Sequence, residues 1–441
     1  MNSTTEGCPT NVPGLWHNGD CSLLCRPTEW YDILIFFLGN YLAHVATVVS
    51  PPGASLTSKM LGMLGALLLP FSGIGLGLEA IASMAIRAPT PLRTAARAGA
   101  LLMIVPTSEK VAPDPAGAQM ALSEMTPIEG PEECADVEQN TNPTLPIRPY
   151  RPWTEKKIHG NVCLPEGYEF KRVSYYATFE DDEEEVRCKR KDSGKASKWY
   201  DVLFVFSKRD RTAKEIACSY NGAKAIVSII QTLFGVYTLY RTKGNQIERF
   251  GYAAYGLTVA PYALMSIVNL AGNLMRPEYP FMYIVGSKSL DDFQIRYKCT
   301  VVTVGRIEEP GPESHGDKSR VLHLGLMRLF GFLGGIALDL LIVGLMTRFT
   351  KGQSTHAQRV WIVIWLVFGA FYGFYIHDVQ TGQTNGPKKG RWRSNPLMNN
   401  KDFFRSVNFC FYGAPTIGGF VVVAQMIKQY GVCSKILDVG V

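Results

Sequence analysis

The sequence predicts an all-α membrane bundle of about seven transmembrane helices, with two long hydrophilic loops that leave room for a small β-rich unit. Three observations lead there. Apolar blocks of about 20 residues, the length that spans a bilayer, alternate with hydrophilic segments; the averages, 46% hydrophobic and 19% charged, conceal that alternation. The basic residues behind the net charge of +7 lie beside the apolar blocks rather than in one stripe. That pattern suits membrane flanks, so the expected partner is the lipid bilayer and not nucleic acid. Finally, the block 251–274 carries Thr258, Tyr262, Ser266, Asn269 and Asn273 at steps of 4, 4, 3 and 4, on one helical face. Lipid satisfies none of these groups, so the face must look into protein or water.

Residues 1–29 read as a polar, cysteine-containing tail. It lacks the basic start and apolar core of a cleavable signal peptide. Residues 30–105 hold the first two transmembrane helices and an amphipathic helix. The first span, 30–49, puts Asn40, His44 and Thr47 on one face and stops at Pro51-Pro52-Gly53. The second block, 60–86, exceeds one crossing and must tilt or break at Pro70. Within it Gly73 and Gly77 favour close helix approach, and Glu79 shares a face with Gly75 and Ser83. Arg93 and Arg97 make 91–105 an interfacial helix, with a re-entrant segment as the alternative.

Residues 106–217 form the first long loop. Its part at 107–152 is rich in Pro, Thr and acidic residues, as disordered connectors are; 170–179 and 199–206 read as strands. The acidic run 180–185 reads as a solvated turn. Transmembrane helices three and four occupy 218–274, joined by a short basic link, and Pro261 should bend the fourth. Residues 275–323 make the second loop, with strands at 281–285 and 293–304 placed to join those of the first. Helices five to seven occupy 324–427, and 428–441 is a short tail. On the fifth, Asp339 lines up with Gly331 and Gly335.

Seven spans put the two tails on opposite sides. With residues 1–29 outside, the short basic links face the cytosol, as positive charge prefers. Eight cysteines, Cys8, Cys21, Cys25, Cys134, Cys163, Cys188, Cys218 and Cys299, then share an oxidising side as candidate disulfide partners. The basic loop 379–402 opposes this orientation.

No phosphate-cradling loop, HExxH pair or GxSxG elbow is present, so neither an enzyme nor a cofactor is expected, and the Cys and His spacings match no metal site. The candidate intramembrane polar site comprises Glu79, Asp339 and His44, with Asn40, Tyr262, Ser266, Asn269 and Asn273. Ionisable groups at membrane depth are costly and so point to function; interhelical hydrogen bonding is the competing reading.

The stretches TKGNQIERFGYAAYGLTVAPYALMSIVNLAGNLMRPEYP and DILIFFLGNYLAHVATVVSPPG resemble uncharacterised multi-span integral membrane proteins of filamentous ascomycete fungi. The resemblance implies an integral membrane protein and brings no activity or site residue with it. The expected function is sensing or binding at the plasma membrane or another secretory-pathway membrane, with a small molecule or a protein as partner. The alternatives are a proton-coupled or small-solute transporter using the buried carboxylates, and a scaffold or accessory subunit.

Overall fold

The computed structural model describes residues 13–17, 21–106, 156–160, 164, 168–180, 216–243, 245–297, 300–309, 316–381 and 401–435. The bundle has two distinct ends. At one, here the tail end, strand β1 (Leu23–Arg26) pairs antiparallel with the last strand, Val432–Lys435, and Cys25 is disulfide-bonded to Cys433. Helix α1 (Trp30–Phe37) starts there; its Asp32 takes the Glu29 backbone N–H at 2.9 Å and two Arg26 bonds at 2.8 and 2.7 Å. A π-helical turn, Leu38–Leu42, carries it into α2 (Ala43–Val45).

The second apolar block folds back on itself. Leu69 leaves the helical region (φ −135°, ψ 81°), because the ring of Pro70 crowds a helical residue before it. The block becomes α3 (Leu56–Leu68) and α4 (Pro70–Ser83). Both outer ends lie at the second end of the bundle, here the cap end. Lys59 in α3 is 3.9 Å from Glu278, and Ala85, just past α4, packs into the core of the cap. The carbonyls of Leu67 and Leu68, orphaned by the break, accept hydrogen bonds from Tyr262 Oη and, at 2.6 Å, from Thr416 Oγ1.

Helix α5 (Pro91–Ala98) ends at Gly99 in the left-handed conformation, and the chain continues as β2 (Leu101–Pro106). The interfacial helix expected over 91–105 is therefore half helix, half strand: its apolar second half pairs with other strands. β2 is antiparallel to β3 (Tyr168–Arg172); a second ladder is begun by β4 (Thr178–Phe179). Helix α6 (Gly222–Thr242) returns to the tail end and α7 (Asn245–Phe250) turns the chain. A 3-10 stretch, Tyr255–Val259, leads into α8 (Ala260–Met275). Pro261 stands in the first turn of α8, where its missing N–H costs nothing, so it starts this helix rather than bending it.

β5 (Tyr283–Ile284) adds to β2 in parallel, and β6 (Ile307–Glu309) pairs with β4, so the two loops do build joint sheets. Between them runs α9 (Lys288–Tyr297), where a strand was expected from residue 293. Leu290 and Phe293, three apart, are both buried, and the Leu290 N–H is held at 3.3 Å by Ser287 Oγ. Helices α10 (Gly316–Thr347), α11 (His356–Thr381) and α12 (Lys401–Tyr430) complete the bundle before β7 (Val432–Lys435). At the tail end the links after α7 and α10 interlock: Tyr252 N–H donates to Thr350 O at 2.9 Å and Gln353 N–H to Arg249 O at 2.7 Å. Gly251 and Gly352 permit this, both at positive φ; a Cβ on Gly352 would stand 2.6 Å from the Gly251 nitrogen.

Seven membrane-length helices are not supported. Among the described residues three helices are long and apolar enough to cross a membrane: Gly222–Thr242, Tyr255–Met275 and Gly325–Thr347. The first block is interrupted by its π-helical turn, the second splits at Pro70 into helices of 13 and 14 residues, and the apolar part of α11 is short. Nor do the tails separate, since β1 and β7 lie side by side. The segments 107–152, 181–185, 199–206 and most of 379–402 lie outside the described residues.

Burial runs opposite to that of a water-soluble helix pair. In α6 and in Gly325–Thr347 only 17% of the apolar window is buried, against 67% in Tyr255–Met275. Exposed Leu, Ile and Phe side chains ring the bundle on α1, α3, α6, α10 and α11. So large an exposed apolar surface is an interface with something apolar. α8 is the central helix.

Candidate functional site

Two polar stripes meet in the middle of the bundle. One is the predicted face of the fourth block. The other, on α6, comprises Ser228, Gln231, Gly235, Thr238 and Thr242, at steps of 3, 4, 3 and 4. The two helices run antiparallel: Gly235 lies against Ala263, and Gly256 against Thr242. α1, its π turn and α2 are inserted beside them.

The resulting polar seam can be followed from the tail end. Thr258 Oγ1 donates to Tyr255 O, so Tyr41 Oη is the donor in the 2.6 Å bond between Tyr41 and Thr258. Asn40 donates to Phe36 O at 3.0 Å and accepts from Thr238 Oγ1 at 2.7 Å. His44 Nδ1 is 2.8 Å from Ser266 Oγ. Thr47 Oγ1 donates to His44 O at 2.7 Å, and Asn273 donates to Thr47 O at 3.0 Å. Lys224 Nζ then reaches Val48 O and Ser50 Oγ, both at 3.2 Å, and Glu278 at 3.0 Å.

The centre of the seam is incompletely satisfied. His44 and Asn269 are fully buried, yet His44 Nε2 and Asn269 Oδ1 have no hydrogen-bond partner among the described residues. Gln231 Oε1 is buried and unpartnered on the facing helix. Asn269 Nδ2 reaches only Thr47 Oγ1, at 3.5 Å. Each such group costs about 1–3 kcal/mol relative to a paired one. Tautomers do not remove the cost: Nε2 is an unmet donor in one and an unmet acceptor in the other. Close packing holds the group in place. A Cβ on Gly235 would stand 3.3 Å from His44 Cε1, and one on Gly77 would stand 2.7 Å from Asn269 Oδ1.

Of the candidate residues, Asn40, His44, Ser266, Asn269 and Asn273 come together in this seam. Tyr262 stands there too, its ring 4.9 Å from that of Tyr41 and 6.3 Å from that of His44, while its Oη donates to Leu67 O at the hairpin tip. The two carboxylates are not brought to His44. Glu79 lies toward the cap end of α4, where its charge acts on Lys156 and Arg276. Asp339 lies on α10 one turn past Gly335, which packs on Phe71 and Leu264; its Oδ1 is buried without a partner among the described residues. The α6 stripe, with Gln231, went unnoticed in the sequence, although its spacing is the same signal that marked the fourth block.

Of the candidate cysteines, Cys25 is bonded to Cys433, which the sequence reading placed in the opposite tail, and Cys21 is also disulfide-bonded. Cys218 is a free, exposed thiol at the cap end. Cys8, Cys134, Cys163, Cys188 and Cys299 lie outside the described residues. No grouping of His, Cys, Asp and Glu that would hold a metal occurs among the described residues. No protein-family model matches this chain, and no curated protein or solved structure matches it either.

Proposed function

We propose that this chain is a multi-pass integral membrane protein that passes a proton or a small polar solute along the seam between α1, α2, α6 and α8. The observation that carries this reading is the trio of buried, unpartnered atoms His44 Nε2, Asn269 Oδ1 and Gln231 Oε1 within a line of polar groups that runs from one end of the bundle to the other. Packing alone leaves such atoms paired; a passing solute or water supplies the missing partners. Irregular backbone along the bundle, at Leu38–Leu42, Leu69–Pro70 and Tyr255–Val259, agrees with it. His44 takes the role first assigned to Glu79 and Asp339. The receptor-like reading depends on loops whose larger part lies outside the described residues, so transport takes precedence over it.

The fold also supports an arrangement in the bilayer. With α3 and α4 as a re-entrant hairpin, the crossings are α1–α2, α6, α8, α10, α11 and α12. Their number is even, which returns β7 to β1. A disulfide at the tail end places that end on the oxidising side of a plasma or secretory-pathway membrane, and the cap, with its free Cys218, in the cytosol. The basic loop 379–402 then becomes cytosolic, as positive charge prefers, while the basic links 241–249 and 348–359 at the tail end face the oxidising side, so the disulfide and not the charge pattern carries this orientation.

The test is flux into proteoliposomes: an entrapped pH dye after an acid jump, and light scattering with urea and glycerol. Flux above protein-free vesicles is expected. His44→Leu should lower it at least about tenfold, the rate equivalent of one lost hydrogen-bond partner. Gln231→Leu should do the same while the protein stays folded. Vesicles indistinguishable from empty ones for both protons and solutes would overturn the reading.

A further inference from the structure

Among the described residues, basic side chains gather at the cap end around few carboxylates. Arg276 immediately follows α8, is 6% exposed, and donates to Ser50 O at 3.3 Å. Arg172 ends β3 opposite Leu102; its Nε is buried and has no protein partner among the described residues. The chain at Lys156 is anchored nearby: Lys157 N–H donates at 2.7 Å to Gly53 O, three residues from the Ser50 that Arg276 bonds, and Lys157 O accepts from Met282 N–H at 2.8 Å. The charges of Arg172 and Arg276 act on Lys156. The carboxylates that act on this group are Glu79 and, on Arg276, also Glu278. Glu278 is shared with Lys59 and Lys224, so that among these residues five basic side chains face two carboxylates.

We propose that Lys156, Arg172 and Arg276 form a binding site for a phosphoryl anion at the junction of the helices and the cap. A phosphate carries between one and two negative charges near pH 7, which offsets part of this positive excess, and its oxygens suit the fork of N–H donors on arginine. The unpartnered Arg172 Nε is one donor it would engage. Depth narrows the source further. Glu79, Arg276, Lys59 and Lys224 lie at or near the cap ends of α4, α8, α3 and α6 respectively, the level at which phospholipid headgroups sit if the bundle spans a bilayer. That last step rests on the membrane reading above; the anion site itself does not. The electrostatics agree: burial, with the charges of Arg172 and Arg276 against that of Glu79, pushes Lys156 down to about 7. An unpartnered cluster relieves itself this way, and an anion would reverse the shift.

The full chain in a neutral detergent tests this without requiring flux or a bilayer. Thermal unfolding is followed with inorganic phosphate against chloride at matched ionic strength, and separately with a phosphomonoester lipid against phosphatidylcholine in mixed micelles. Stabilisation by both phosphate and the phosphomonoester lipid is expected for a general phosphoryl site, and stabilisation by the lipid alone for a headgroup site. In either case Arg172→Gln should weaken the effect at least about tenfold, the worth of one charge-assisted hydrogen bond. Lys156→Gln serves as a second variant should Arg172→Gln fold poorly. Equal stabilisation by chloride, or variants that bind like the parent chain, would overturn the site. So would phosphate binding that emerges only after deletion of residues 181–185, because the chain's own acidic run would then be the occupant.

Discussion

Glu278 shows how one residue ties the cap to the bundle. Burial alone would raise its pKa, but Lys224 and hydrogen bonds from Asn221, Lys224 and Ser50 outweigh that and hold it down to about 2. A carboxylate depressed in the folded state stabilises above its unfolded pKa and loses that contribution as pH falls toward the folded value. Unfolding midpoints should therefore drop between about pH 4.5 and 2, and Glu278→Gln should flatten that drop. Lys156 has the opposite sign. Its folded pKa lies below the unfolded value of 10.5, so the unfolded chain holds more protons above pH 7 and stability should rise from about pH 7 toward 10. Melting curves across both windows check these signs, and Lys156→Met should remove the alkaline rise. At this scale the sequence was partly legible. His44 was readable from its helical spacing with Asn40 and Thr47. Cys433 was not, because its partner is 408 residues away and only the pairing of β1 with β7 brings them together.

Among the elements, the α3–α4 hairpin sets the form of the core. Its tip is held by two side chains from other helices, Tyr262 and Thr416. Tyr262→Phe and Thr416→Val should each lower the unfolding free energy by ~1–3 kcal/mol, because each leaves a buried carbonyl unpaired. Denaturant titration in detergent measures this; an unchanged midpoint for both variants would mean that the tip is hydrated and not capped. Gly77→Val should be worse still, since its side chain meets Asn269 and Val268 directly. That Pro70 interrupts the second block was visible in the sequence. The reversal of direction was not. It depends on whether Leu67 and Leu68 find donors, and those donors lie about 195 and 348 residues further along.

For the whole molecule, the proposed six-crossing arrangement is the point open to the sharpest test. In sealed vesicles a membrane-impermeant maleimide should reach Cys218 from the cytosolic face only. A cysteine placed at Lys435 should be reached from the opposite face only, in a variant in which Cys218 is replaced. Labelling of both from one face would end the six-crossing arrangement. Reduction should change the mobility of a chain nicked in any loop, since Cys25–Cys433 ties its two ends together, and Cys433→Ser should abolish that tie.

The sequence by itself determined that this is a helical protein with apolar stretches of membrane length, and it marked one polar face on the central helix. Those properties follow from local periodicity and composition, which are encoded within a few turns. Only the tertiary structure decided that the second block turns back, that the two tails meet, and that the polar face of α8 meets a matching one on α6. It also decided that the carboxylates stand apart from His44, with Glu79 toward a basic cluster at the cap. Each of these depends on which distant group satisfies a buried polar atom or charge, and an apolar run of given length carries no record of its partner.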